Sequence, residues 1–193
     1  MATNPTRQTL LEVGTELINR HGFTATGIEA VLKAADVPKG SFYHHFKSKE
    51  DFALAVVDGF ASRLEQILRT TLEAEGSPLE RLHRFLSDRM DLFVQNRCVR
   101  GCLLGNLGQE LAASHPRLAA RLQEAFDMWC ERVADCLREA QARGELRADL
   151  PAGALAGFIL SGFQGSLLRA KLACSPEPIR EFRDTLFATV LHP

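Results

Sequence analysis

Apolar residues recur at helical intervals from one end of this chain to the other, divided by Gly, Pro and Ser breaks. Leu10, Val13, Gly14, Leu17, Ile18 and His21 predict a first helix over residues 5–20, with Gly22 as its left-handed C-terminal cap. Thr26 followed by Glu29 reads as a capping box for a short helix over 27–35. Asp36-Val37-Pro38 then interrupts the pattern. Pro38 disfavours helical geometry at Val37 but suits the first turn of a third helix over 38–46. Two short helices around a three-residue break make a helix-turn-helix.

Ser48 and Asp51 form another capping signature, opening a long amphipathic helix that runs to residue 74 and stops at Gly76-Ser77-Pro78. A helix over 79–95 follows, then an irregular patch over 96–106 containing Gly101, Gly105 and two arginines. A short helix is expected over 107–113, halted by Ser114-His115-Pro116, and a long one over 116–142, ended at Gly144. Pro151 opens a helix rich in small residues that reaches residue 174, where Ser175-Pro176 breaks it. The last amphipathic helix covers 177–191. The expectation is an all-α fold of about nine helices, without internal repeats or low-complexity tracts.

Composition strengthens the helical reading: Ala, Leu, Glu, Arg and Gln abound, while β-branched runs are nearly absent. At 46% apolar and 24% charged, the 193 residues carry ample material for a core. The net charge of −1 rules out a chain coated in positive charge and leaves room for a local cationic face. Residues 1–50 hold six Lys/Arg against five Asp/Glu, so charge alone points nowhere. The N-terminal segment lacks a continuous apolar stretch of the secretory kind, and 151–168 is too short and mixed to span a membrane. Cys98, Cys102, Cys130, Cys136 and Cys174 form no CxxC pair, which suits the reduced thiols of a cytoplasmic protein and no structural zinc. Cys130, Cys136 and Cys174 fall in predicted helices and read as structural.

The short third helix carries donors along one side. Lys39 and, just beyond it, Lys49 can neutralise phosphates; Ser41, Tyr43 and His44 offer hydroxyl and imidazole groups to phosphates or base edges. Gly40 permits close approach of backbone to a ligand. Phe42 and Phe46, four apart, read as inward anchors. Residues 6–52, through Gly22-Phe23, Thr26, Val37-Pro38-Lys39-Gly40-Ser41-Phe42-Tyr43-His44-His45-Phe46 and Lys47-Ser48-Lys49-Glu50, resemble the TetR family of bacterial repressors. Helix order and length extend the resemblance over the whole chain. It implies that Lys39, Gly40, Ser41, Tyr43 and His45 lie nearest the bases of a double-stranded DNA operator, with Thr26, His44 and Lys49 on phosphates. Two positions depart from the pattern. Asp36 stands where Gly is usual, and Asp tolerates left-handed geometry; Gly27 stands where Ser or Thr is frequent.

The resemblance divides the chain into a DNA-binding domain, 1–50, and a helical effector-binding and dimerisation domain, 51–193. Ala154, Gly157, Phe158, Ser161, Gly162 and Gly165 place small residues on adjoining faces of one helix, letting another helix approach. Phe182 and Leu186 add apolar positions on the last. Together they are candidates for a homodimer interface, as a palindromic operator requires. Phe93, Leu104, Leu107, Phe126, Trp129 and Phe163 are candidate linings of an inducer pocket, or equally ordinary core.

Cys102 is the sharper sensor candidate. Arg97, Arg100 and a helix N-terminus beside it would favour the thiolate, and the segment around Gly101-Cys102-Leu103 resembles TetR-type sensors of electrophiles and oxidants. Cys102 then reacts covalently, with Cys98 a possible resolving thiol, or is structural beside a noncovalent hydrophobic inducer. No GxSxG, HExxH, phosphate loop or paired-carboxylate constellation supports an enzyme, and no cofactor is expected.

Overall fold

The computed structural model describes residues 5–192. Among them are nine α-helices and no strand: α1 (Pro5–His21), α2 (Ile28–Ala35), α3 (Lys39–His45), α4 (Lys49–Leu72), α5 (Pro78–Gln95), α6 (Leu103–Leu111), α7 (Pro116–Ala142), α8 (Ala152–Ala173) and α9 (Glu177–Thr189). They form two compact units. The first is built from Met1–Arg63 and Cys102–Ala125, the second from Leu64–Gly101 and Phe126–Pro193.

Local chemistry explains the breaks in the first unit. Gly22 ends α1 at φ +84°, and its amide bonds Ile18 O at 2.8 Å. Asp36 caps α2 in the left-handed region (φ 53°, ψ 47°), and the Val37 amide reaches back to Leu32 O at 3.1 Å. The turn geometry expected of Asp36 is therefore present. Ser48 Oγ accepts the Asp51 amide at 3.0 Å, which starts α4 as its capping signature predicts.

The expected capping box at α2 is not formed. Gly27, not Thr26, occupies the cap position, and Thr26 is buried with its hydroxyl donating to Gly22 O at 2.6 Å. The Gly27 carbonyl accepts the Ala30 and Val31 amides at 3.1 and 3.3 Å, so α2 opens one residue later than the box requires. Another departure concerns α6, which begins at Leu103 rather than 107. Gly105 and Gly108 weaken it as a helix, but Leu103, Leu104, Leu107 and Leu111 share a buried face that holds it.

Aromatic rings fill the centre of the first unit. Phe42, Phe46 and Phe52 are all buried, with ring centroids 4.9 to 5.4 Å apart. Gly14 on α1 lies directly against Phe52: a β-carbon there would stand 2.1 Å from the ring's Cζ. Phe42 and Phe46 are the inward anchors their spacing predicts.

In the second unit Trp129 of α7 meets Phe85, Phe126 and Phe163 at 6.0 to 6.4 Å. Arg81 is buried, ion-paired with Glu139 and donating to Ala74 O at 2.5 Å. Ser77 caps α5 by accepting the Glu80 amide, and its own hydroxyl donates to Glu145. On α8, Gly162 sits under the Phe182 ring of α9, where a β-carbon would come within 2.3 Å of it. No helix among the described residues is long and apolar enough to cross a membrane.

Candidate nucleic-acid interface

Burial of Phe42 and Phe46 turns the opposite side of α3 to solvent. Lys39, Gly40, Tyr43 and His44 are exposed, four-residue partners that form one stripe, while Ser41 and His45 flank it half-buried. Tyr43 is 54% exposed and braced edge-on by Phe42 at 5.4 Å, which holds the phenol outward. Beyond its own helix backbone and chain neighbours, nothing lies within 4 Å of the β-carbon position of Gly40, so another surface can come close to the backbone there. Lys39 makes an exposed ion pair with Glu29 on α2 at 3.1 Å. Such a pair contributes little, on the order of 0.2–1 kcal/mol, and can be exchanged for a phosphate.

Thr26 does not join this stripe. It is 4% exposed, and its one hydroxyl proton is already given to Gly22 O. A phosphate offers only acceptors, so the hydroxyl has no proton left for it. Its role is to hold the turn.

Lys49, in the first turn of α4, is half-buried. Its ammonium lies 4.3 Å from the centre of the Phe23 ring and donates to Thr24 O at 3.3 Å. Desolvation lowers its pKa, partly offset by the charge of Glu110. Glu110, on α6, is a residue that sequence reasoning passed over. Its carboxylate accepts the Phe23 amide at 2.8 Å and the Thr24 amide at 2.6 Å. Desolvation pushes its pKa up, but the hydrogen bonds from Thr24 and Phe23 and the Lys49 charge outweigh it and leave the carboxyl lowered. Nothing local signals this contact, because the partners lie 86 and 87 residues apart.

Cys102 is the N-cap residue of α6 (φ −72°, ψ 123°), half-buried, so the expected helix N-terminus is present. Just before it the chain is irregular, with Arg97 and Cys98 both in the left-handed region (φ 56° and 58°). The other thiols separate by environment. Burial pushes the Cys136 thiol up to about 11, and its sulfur donates to Pro78 O at 3.3 Å. Cys130 is raised by burial and then by Glu131 and Asp127. Cys174 lies past the end of α8 in a left-handed cap and is exposed, not inside a helix as expected.

Of the candidate pocket residues, Phe93, Leu104, Leu107, Trp129 and Phe163 are buried core, and Phe126 is half-buried. Leu104 and Leu107 belong to the first unit and the other four to the second. Among the described residues no His, Cys, Asp and Glu group is arranged to hold a metal ion.

The candidate dimer residues divide as well. Gly162 and Phe182 pack on each other within the chain, and Leu186 is buried at 2% exposure, so Leu186 is core rather than surface. The physical reason is that α9 lies on α8 and covers these positions itself. Ala154, Phe158, Ser161 and Gly165 are exposed and Gly157 half-buried. Phe158, Ser161, Gly165, Leu168 and Leu172 recur at three- and four-residue steps, all exposed, with Leu172 at 79%. Beside this seam a groove of ≈ 440 Å³ lies between α8 and α9, walled by Phe158, Arg169, Glu181 and Phe182 among others.

Comparison with known proteins fits this geometry at both ends. Residues 10–56 match the family described as bacterial regulatory proteins, tetR family. Residues 78–186 match the tetracyclin repressor-like C-terminal domain. The chain is similar to the transcriptional regulator AcuR of Cereibacter sphaeroides, 40% identical over 179 residues that cover 92% of this chain and 82% of that protein. It is similar to the HTH-type transcriptional repressor DhaR of Mycobacterium sp. strain GP1, 34% identical over 192 residues, 99% of this chain and 95% of that one. The HTH-type transcriptional repressor NemR of Escherichia coli K12 is 31% identical over 179 residues, 90% of this chain and 88% of its own. The crystal structure of reduced E. coli NemR superposes with a TM-score of 0.92, at 27% identity, over 98% of this chain and 99% of that one. With a helix-turn-helix presenting Lys39, Tyr43 and His44 outward and family matches across both parts of its length, this chain belongs to the TetR family of DNA-binding transcriptional regulators.

Proposed function

We propose that the protein is a cytoplasmic homodimeric repressor that binds a palindromic operator and is released from it by a small molecule or an electrophile. The observation that carries the reading is the stripe on α3: the aromatic anchors Phe42 and Phe46 are buried behind it, and Lys39, Gly40, Tyr43 and His44 face solvent. In this reading α3 enters the major groove with Lys39, Gly40, Ser41, Tyr43 and His45 nearest the bases. His44 and Lys49 take phosphates. Residues 1–50 serve as the reading head and 51–193 as the effector and dimer body. Two of the relatives described above are named as repressors.

The signal enters, in this proposal, at Cys102. The thiolate sulfur adds to an electrophilic carbon at the N-cap of α6, and solvent supplies the proton that the adduct needs. Its place at the N-terminus of α6 favours such a thiolate, and the similar NemR has been solved in a form named as reduced. A second reading keeps Cys102 structural and places a noncovalent apolar ligand in the body. The aromatic cluster around Trp129 favours that reading.

The deciding experiment for the DNA role is an electrophoretic shift on duplexes that the wild-type protein enriches from a random pool. Tyr43→Ala and Lys49→Ala are each expected to weaken binding at least severalfold, with Tyr43→Ala also relaxing sequence preference. If both variants bind and discriminate like wild type, α3 is not the reading helix.

A further inference from the structure

We infer that Glu110 on α6 is a positioning residue for DNA binding: by holding the Phe23 and Thr24 backbone it fixes the seat of the Lys49 ammonium. The inference rests on the reading of Lys49 as a phosphate contact.

The geometry is a two-step relay within the first unit. Glu110 accepts two consecutive amides, Phe23 at 2.8 Å and Thr24 at 2.6 Å. Charge-assisted bonds of this kind are about twice as strong as neutral ones, and the fork onto neighbouring amides fixes orientation as well as distance. The same two residues then support the Lys49 ammonium: the Phe23 ring face lies at 4.3 Å and the Thr24 carbonyl accepts from it at 3.3 Å. If the two amides move, both supports move with them.

Two further contacts make the arrangement specific. Gly22, at φ +84°, turns the chain so that the amides face α6, and a β-carbon there would stand 2.9 Å from Glu110 Oε2. One turn earlier on α6, Asn106 donates to Asn19 of α1 at 3.1 Å. The carboxylate is thus delivered against the turn by a helix anchored on the same side. A flexible lysine loses rotamer freedom when it is fixed at a phosphate. A seat that restricts it beforehand reduces that loss, and Glu110 acts on DNA affinity through the seat without touching DNA.

The test separates positioning from simple bracing by the salt dependence of binding. Affinity for a duplex enriched by the wild-type protein is measured by fluorescence anisotropy from low to high salt, for wild type, Lys49→Ala, Glu110→Ala, Glu110→Gln and the double alanine variant. Each phosphate contact contributes about 0.9 to the slope of log K against log salt. Lys49→Ala is expected to reduce the slope by about that amount. Glu110→Ala is expected to reduce it similarly at a temperature where circular dichroism shows an intact fold, and the double variant no further. Glu110→Gln, which keeps one carbonyl oxygen for one amide, should fall between; it decides the matter if the alanine variant does not fold. A wild-type slope in the Glu110 variants beside a reduced one in Lys49→Ala overturns the inference alone. A wild-type slope in Lys49→Ala overturns the phosphate reading of Lys49 and this inference with it.

Discussion

Gly14 is the residue where the least chemistry carries the most consequence. Phe52 is only 2% exposed and walled by Phe42 and Phe46, so its ring has nowhere to turn when a β-carbon arrives at 2.1 Å. Gly14→Ala is therefore expected to destabilise the protein by about 1–3 kcal/mol, the usual cost of overpacking, despite the better helix propensity of Ala. Thermal denaturation checks this; an unchanged or raised melting temperature would mean that Phe52 relaxes freely. The same substitution at Gly162 meets Phe182, which is half-buried and can swing outward, so its penalty should be smaller. At this scale the sequence was legible where chemistry is local. The four-residue spacing of Phe42 and Phe46 marks them as anchors, and Asp36 announces a left-handed turn. The capping box expected at Thr26 fails because α2 opens from Gly27, one residue later than the box requires, and the local pattern does not reveal that offset. Glu110 was unreadable, since its partners are brought to it by the tertiary fold.

Among the elements, α6 draws little of its stability from its own backbone. It has nine residues and two glycines, each costing about 1 kcal/mol relative to Ala, and it depends on its buried leucine face. That composition also explains why the sequence pattern predicts an irregular patch at its first turn. A group attached at its N-cap would load this helix where it has little intrinsic strength. Electrophile treatment is accordingly expected to release DNA from the wild-type protein and to leave Cys102→Ser bound, with unmodified operator affinity equal in the two. Mass spectrometry should find the adduct on Cys102. Normal release by the serine variant would assign the signal to a noncovalent ligand instead. For α1, α5 and α7 the predicted and observed ends agree within one residue, because caps and stop signals are encoded beside them.

For the whole molecule, the described residues carry their most exposed large apolar side chain, Leu172, on α8, where Phe158 and Leu168 are exposed too; Leu92, Val94 and Val99 are exposed elsewhere. The seam running from Phe158 through Ser161, Gly165 and Leu168 to Leu172 has the step of a helix-pairing face, and it is exposed in the single chain. Small residues on α8 point to this helix from the sequence, whereas Leu168 and Leu172 are absent from the candidates and Leu186, a candidate interface residue, is core. Phe158→Glu combined with Leu172→Glu should convert a dimer to a helical monomer in sedimentation, and lower operator affinity at least tenfold by uncoupling two half-sites. Retention of the dimer would move the interface elsewhere.

The distribution of the five thiols bears on how any redox behaviour can be observed at all. The thiol most open to a reagent is the exposed Cys174, outside the proposed sensor, while Cys136 is shielded and held almost wholly protonated at neutral pH by a pKa of about 11. A bulk sulfhydryl titration would therefore register Cys174 early and Cys136 hardly ever, and its total would say little about Cys102. Chemical sensitivity in this protein is a matter of address rather than of amount, and a Cys174→Ser background is the proper canvas on which to look for it.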